Sequence, residues 1–280
     1  MKTVKKVGFA GFTLIELLLV VAILATLTAV VLPKFDGLQS KVNHGVGAAS
    51  ADDTGRLIVT FKITKNKYPN GWDSLLNTAN DDFWKAADPT KKGIHTQLAG
   101  FPIAGSGAKL ALATLTQGQV ESLSRMGISK VFNLGTGSAD TSSALPGDCY
   151  NVAGTLAVNS TVCVLNTATS GGRKMIDSIY PKNTIAVTGV SGALPEVFEP
   201  GSTTVKLPKI VVVFGLGPRN DMIGTSMMDC PTYPNLDLTL VYNRNLVAFE
   251  VDPYSGRSDF KAVFGSDGDL KSDMANDMVK

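Results

Sequence analysis

Histidine is almost missing from this chain: His44 and His95 are the only two in 280 residues. Neither lies at ligand spacing from the other or from a cysteine, so a histidine-built metal centre is not indicated. No Gly-x-Ser-x-Gly elbow accompanies them, so a Ser-His-Asp hydrolase has no local signature here. Cysteine is equally sparse, and Cys149, Cys163 and Cys230 do not form a zinc pattern. Charged residues make up 18% of the chain against 44% hydrophobic ones, which excludes a disordered tail and fits a globular body. Net positive charge is lacking too. The formal +2 includes Lys2, Lys5 and Lys6 of the first eleven residues, which hold no acid, and without them the balance is −1. Whole-surface binding to nucleic acid or to a membrane is therefore not expected. No internal repeat is visible. None of this supports an enzyme.

What the chain does have is one long apolar run. From Phe12 to Leu32 there are 21 residues suited to a bilayer, and Glu16 is the only charge among them. As a helix they reach about 31 Å, roughly the thickness of a hydrocarbon core. A secretory signal peptide has a shorter apolar region, about 7–15 residues, and ends at a small-x-small cleavage site that is not evident here. A plain signal anchor explains the length and the basic leader, whose lysines hold the N-terminus in the cytoplasm. It leaves Glu16 unexplained. A carboxylate in such a span costs a few kcal/mol and marks a functional position.

The stretch Gly11-Phe12-Thr13-Leu14-Ile15-Glu16 resembles the processing site of type IV prepilins and of type II secretion pseudopilins. The resemblance implies cleavage after Gly11 by a prepilin peptidase and methylation of the new N-terminal residue, Phe12. It also implies that Glu16 pairs with the terminal amine of a neighbouring subunit and so sets assembly register, a role buried polar groups fill elsewhere. Pro33 matches the proline that the family often carries at the end of the apolar stretch.

Beyond the run, Phe35, Leu38, Val42, Val46 and Ala49 recur every three or four residues, and Leu57, Ile58 and Phe61 continue an apolar face. Gly45, Gly47 and Gly55 weaken this helix by about 1 kcal/mol each relative to alanine. Pro69 stops it after Lys65-Asn66-Lys67-Tyr68. That Tyr-Pro end, with Leu75 and Leu76 beyond, is similar to the helix end of pseudopilins. Residues 85–107 read as irregular. Thr116 and Gln119 form a capping box for a short helix with Val120, Leu123 and Met126 on its inner face and Gly127 closing it. Gly135–Gly147 reads as a surface loop separating an inserted middle portion from a late sheet. Strand signals then gather. Ile210–Phe214 is a β-branched run, Leu236–Tyr242 and Leu246–Val251 flank a turn, and Phe260, Ala262 and Phe264 alternate after Asp252–Gly256. Gly215-Leu216-Gly217-Pro218 begins like a dinucleotide loop but lacks the third glycine and a following helical face, so it reads as a turn.

Export past the membrane implies an oxidising compartment, hence one disulfide and one free thiol. Cys149 and Cys163 flank Tyr150–Val162, read as a hairpin turning near Asn159, and are the favoured pair; Cys230 pairing with either is the alternative. Asp267, Asp269 and Asp273, with Gly268 between, offer hard oxygens suited to Ca²⁺. They loosely resemble the calcium loop of major pseudopilins, although Leu270-Lys271 interrupts the pattern. The competing reading is a solvated acidic tail with no cofactor.

These readings converge on an α+β, pilin-like chain. Residues 1–11 are a leader, 12–33 a transmembrane or filament-core helix, 34–66 its amphipathic continuation and 67–280 a head built on an antiparallel sheet. The resemblance implies a non-enzymatic filament subunit, held in the inner membrane as precursor and then placed in an extracellular pilus or periplasmic pseudopilus. Its implied partners are copies of itself or other pilins, the prepilin peptidase and an inner-membrane assembly platform. The alternative of a different kind is a signal-anchored periplasmic enzyme or binding protein that never assembles.

Overall fold

A computed structural model describes residues 13–77, 108–134, 150–180, 209–232 and 242–269, with isolated positions between 79 and 98; side chains of 30–40, 150–153 and 177 lie outside that description. The fold is α+β, and the chain divides into two units, 1–42 and 43–280.

Helix α1 spans Leu14–Lys65. In the first unit the large apolar side chains from Leu14 to Leu27 are exposed, between 50% and 78%. The polar atoms of this stretch turn back on the helix: Thr26 Oγ1 donates to the Ile23 carbonyl at 2.8 Å and Thr28 Oγ1 to that of Leu24 at 2.7 Å. Such back-bonding satisfies a hydroxyl without a partner element.

In the second unit α1 buries Ala48, Ala51, Thr54, Ile58 and Phe61. Val42 and Val46, expected on that same face, are 57% and 50% exposed, and Ala49 is exposed as well. Within this unit Val46 and Ala49 lie on the side of α1 away from Ala51, whereas Ile58 and Phe61, read as continuing the apolar face, are buried as expected. Small residues at 48 and 51 let the backbone approach the sheet, which is why the less hydrophobic stripe is the buried one. The helix stops as expected after Lys65, where Asn66 takes a left-handed φ of 56° and Pro69 follows.

Among the described residues the sheet has eight strands: β1 (Trp72–Asp73), β2 (Leu110–Thr114), β3 (Lys130–Leu134), β4 (Tyr150–Thr155), β5 (Thr161–Leu165), β6 (Ile210–Gly215), β7 (Leu246–Asp252) and β8 (Arg257–Phe264). Their order is β2-β5-β6-β1-β3-β4, and β7 joins β6 to β8. The sheet is mixed, because β1 and β3 run parallel while the other pairs are antiparallel. Two short helices, α2 (Gln117–Arg125) and α3 (Ser170–Ile179), complete the described elements. The α2 cap forms as expected, with Thr116 N–H donating to Gln119 Oε1 at 2.9 Å and Gly127 at φ 97°.

Two apolar clusters explain the unbroken Ile210–Phe214 run. Val212 and Phe214 face the cluster holding Ile58, Phe61 and Leu123, while Val211 and Val213 face another holding Leu75, Leu76, Leu98 and Met175. With both faces covered, β6 is buried at every position and needs no polar alternation. The strands of the middle portion, β2 and β3, belong to this same sheet, which corrects the expectation of a separate late sheet. Each is only five residues long, and the alanines of β2 and the Lys130 and Asn133 of β3 weaken their strand signals. The expected Tyr150–Val162 hairpin is also corrected: Asn159 does turn the chain, at φ 66°, but β4 pairs with β3 and β5 with β2. The hairpin of β7 and β8 forms as read, whereas 236–241 and 135–149 lie outside the described residues.

The glycines around Leu216 serve clearance. Tyr242 OH donates to Asp73 Oδ2 at 2.7 Å, and Arg244 lies 3.6 Å from the same oxygen, all three side chains being buried. A Cβ on Gly217 would sit 2.0 Å from Asp73 Oδ1, and one on Gly215 would sit 1.9 Å from the Tyr242 hydroxyl. Overpacking of this kind costs about 1–3 kcal/mol before any displaced carboxylate is counted. Gly217→Ala should therefore lower unfolding free energy by about 2 kcal/mol or more, read by chemical denaturation. Gly154→Ala, whose Cβ would meet nothing closer than 3.8 Å, should change it by less than about 1 kcal/mol.

Candidate functional site

The residues that carried the sequence reading cluster at the start of α1. Gly11 and Phe12 lie outside the described residues, as do the side chain of Pro33 and all of His95, Cys149 and Asp273. Glu16 is described and exposed. Its Oε2 accepts from Thr13 N–H at 2.9 Å and from Thr13 Oγ1 at 2.8 Å, and Glu16 N–H reaches Thr13 Oγ1 at 3.3 Å. Thr13-x-x-Glu16 is thus a capping box, a role that the register argument overlooked although the S/T-x-x-E spacing was present. The cap satisfies amides that would otherwise be bare in an apolar stretch. Among the described residues, no helix is long and apolar enough to cross a membrane. The described side chains of the apolar run end at Ala29, and those of its remaining residues are not covered.

The head holds the other candidates. Cys163, expected to pair with Cys149, is a free buried thiol whose Sγ donates to the Ser74 carbonyl at 3.4 Å. It sits on β5 among Leu110, Leu165 and Val213, and burial pushes its thiol up. Cys230 is also free; its Sγ donates to the Leu216 carbonyl at 2.7 Å, and burial pushes its thiol up to about 12. Asp267 and Asp269 lie in the loop after β8, where Lys109 Nζ meets the Asp269 Oδ1 at 2.7 Å and the Asp267 carbonyl at 2.9 Å. Among the described residues, no group of three or more His, Cys, Asp and Glu is placed to hold a metal ion. Gly215-Leu216-Gly217 leads into turns, as read, with Leu216 N–H donating to the Asn245 carbonyl at 2.9 Å.

A groove of about 680 Å³ runs between α1 and β8, lined by Ala51, Gly55, Val59, Phe260, Ala262 and Val263. Its charges are Asp52 and Arg56, paired to each other at 2.9 Å. Its lining contains no nucleophile paired with a base. A second charged cluster, at Glu250, ties elements together: Tyr180 OH donates to Glu250 Oε2, and Lys209 and Lys261 lie 3.4 Å and 3.2 Å from the carboxylate. Burial alone would raise Glu250, but the Tyr180 hydroxyl and the two lysines outweigh it and hold the carboxyl below its ordinary range.

Over 67 residues, the chain is 36% identical to a type IV wide pilus major component, PilA4, of Thermus thermophilus; the match covers 24% of this chain and 51% of that protein. The chain therefore spans about half the length of the curated relative it matches. No family model matches, and no solved structure does. The likeness is therefore a partial one, to a pilus component, over about a quarter of this chain.

Buried thiols with raised pKa values react slowly, because the thiolate is the nucleophile. Iodoacetamide at pH 8 should leave Cys163 and Cys230 unmodified in the native chain and label both once the chain is denatured without reductant. Peptide mass mapping checks this, and labelling of Cys163 only after reduction would restore the Cys149 bridge.

Proposed function

We propose that this chain is a structural, non-catalytic subunit of a type IV pilus-like or type II secretion pseudopilus filament. Cleavage by a prepilin peptidase after Gly11 makes Phe12 the N-terminus, and the apolar part of α1 holds the chain in the inner membrane until an assembly platform adds it to the filament. The observation that carries the reading is the apolar start of α1, exposed from Leu14 to Leu27 with Glu16 as its one acid. The partial likeness to a pilus component supports it.

Lipid is as apolar as leucine, so burial alone does not choose a neighbour over the bilayer. Glu16 supplies the choice: in the free chain its carboxylate is spent on the Thr13 cap, and in the filament it meets a neighbour's terminal amine. Intact mass and N-terminal sequencing of sheared and membrane fractions test the processing. Methylated Phe12 in the sheared fraction supports a surface pilus, and the same terminus confined to membranes supports a periplasmic pseudopilus. An intact leader in both fractions would leave the anchored, non-assembling protein.

Two substitutions separate the roles of Glu16. Glu16→Gln keeps an oxygen for the Thr13 amide but removes the charge, while Glu16→Ala removes both. Both variants should be processed normally and both should fail to assemble, scored by sheared filament yield. Normal filaments from Glu16→Gln alone would make the residue a cap and not a register device.

A further inference from the structure

We propose that Lys109 takes the place of a divalent cation in the loop after β8, so that this loop is held by a built-in ammonium and not by metal. Lys109 stands directly before β2, whose only described partner is β5, and the loop follows β8, whose only described partner is β7. These are the two ends of the antiparallel run β2-β5-β6-β7-β8. One side chain therefore joins the two ends of that run.

The local bonding leaves little for a metal. Lys109 is fixed at its backbone, its carbonyl accepting from Asn166 N–H at 2.9 Å. Its Nζ donates to the Asp269 carboxylate and the Asp267 carbonyl, and the two ion-pair side chains are only 13% and 31% exposed. Asp267 Oδ1 takes the Asp269 N–H at 3.0 Å, the Asp269 carbonyl takes the Gly265 N–H at 2.8 Å, and the Gly265 carbonyl takes the Gly268 N–H at 2.9 Å. Calcium needs six to eight oxygens at about 2.3–2.6 Å. Here Asp267 Oδ1, Asp269 Oδ1 and the Asp267 carbonyl are already engaged, the last two by a positive charge that would repel the ion. The lysine stem is part of the fit: Gly268 holds φ at +82°, and a Cβ there would come within 2.9 Å of Lys109 Cδ and 2.7 Å of Leu98 Cδ2. The residues do not fit the calcium suggested by Asp267 and Asp269.

The inference concerns the head alone and stands whether or not the chain assembles. Its test is thermal unfolding of the full chain in detergent, with EDTA or with millimolar calcium chloride, for the natural sequence and for Lys109→Met. The natural chain should show Tm values within about 1 °C of each other in the two conditions, since a ligand that binds only the folded state must raise Tm. Lys109→Met should melt about 4–8 °C lower in EDTA, the loss expected for charge-assisted hydrogen bonds in a domain of this size. A Tm of the natural chain that climbs saturably with calcium would overturn the proposal, as would a Lys109→Met chain as stable as its parent. Should Lys109→Met not fold, hydrogen exchange at Gly265, Gly268 and Asp269 of the natural chain decides. Protection unchanged by EDTA supports the lysine, and protection lost in EDTA overturns it.

Discussion

Phe249 is the contact on which the head converges. The ring is fully buried on β7, and four others stand around it: Tyr68 at 5.1 Å, Trp72 at 5.4 Å, and Phe214 and Phe260 each at 6.2 Å. Three of the four meet it edge-on, the arrangement that aromatic quadrupoles favour. Tyr68 extends the cluster, its hydroxyl accepting from Lys62 Nζ at 2.8 Å and from Phe260 N–H at 2.9 Å. The last turn of α1, the chain reversal after it and both arms of the β7–β8 hairpin thus share one hydrophobic point. That is why the helix end carries a tyrosine before its proline.

A second constraint follows from bringing the reversal so close to the sheet. Asn70 replaces missing strand partners, its Oδ1 accepting from Ser129 N–H at 3.0 Å and Lys130 N–H at 2.7 Å. Two residues on, β1 enters between β6 and β3 with Asp73 fully buried. A buried carboxylate must be met, and Tyr242 and Arg244 meet it only because Gly215 and Gly217 leave room. Glycines that suggested a nucleotide loop are there to admit a carboxylate and a phenol.

Legibility followed the range of the interactions. The end of α1, the α2 cap, the turn at Gly256 and the buried Ile210–Phe214 run were readable because local rules fix them. Strand partners were not. Nothing in Tyr150–Val162 says that β4 and β5 pair with other strands and not with each other, since that choice is made by β3 and β2. The face of α1 was misjudged for a related reason. Valines at 42 and 46 outweigh alanines at 48 and 51 on any hydrophobicity scale, yet only alanines let the helix sit against Phe249 and Val263. Glu16 was legible as an anomaly and not as a cap, because a charge in an apolar run draws attention away from the threonine three residues before it.

The polar groups of the apolar segment bear on how a filament of the proposed kind could be specified. Thr26 and Thr28 bond their own helix and Glu16 Oε2 bonds Thr13, so apart from that carboxylate the described apolar side chains offer a neighbour hydrocarbon. Two such helices gain packing on leaving lipid but little from the hydrophobic effect itself. Any preferred height of one subunit against the next must then come from a group able to exchange its present bond for a better one. The threonine hydroxyls gain nothing by exchange, since a carbonyl acceptor is replaced by another of equal strength. Glu16 differs, because its present donors are a neutral amide and a hydroxyl, and a charge-assisted bond to an amine is roughly twice as strong. In the proposed filament, register resides in one carboxylate of the first unit, while the second unit carries an apolar core of its own.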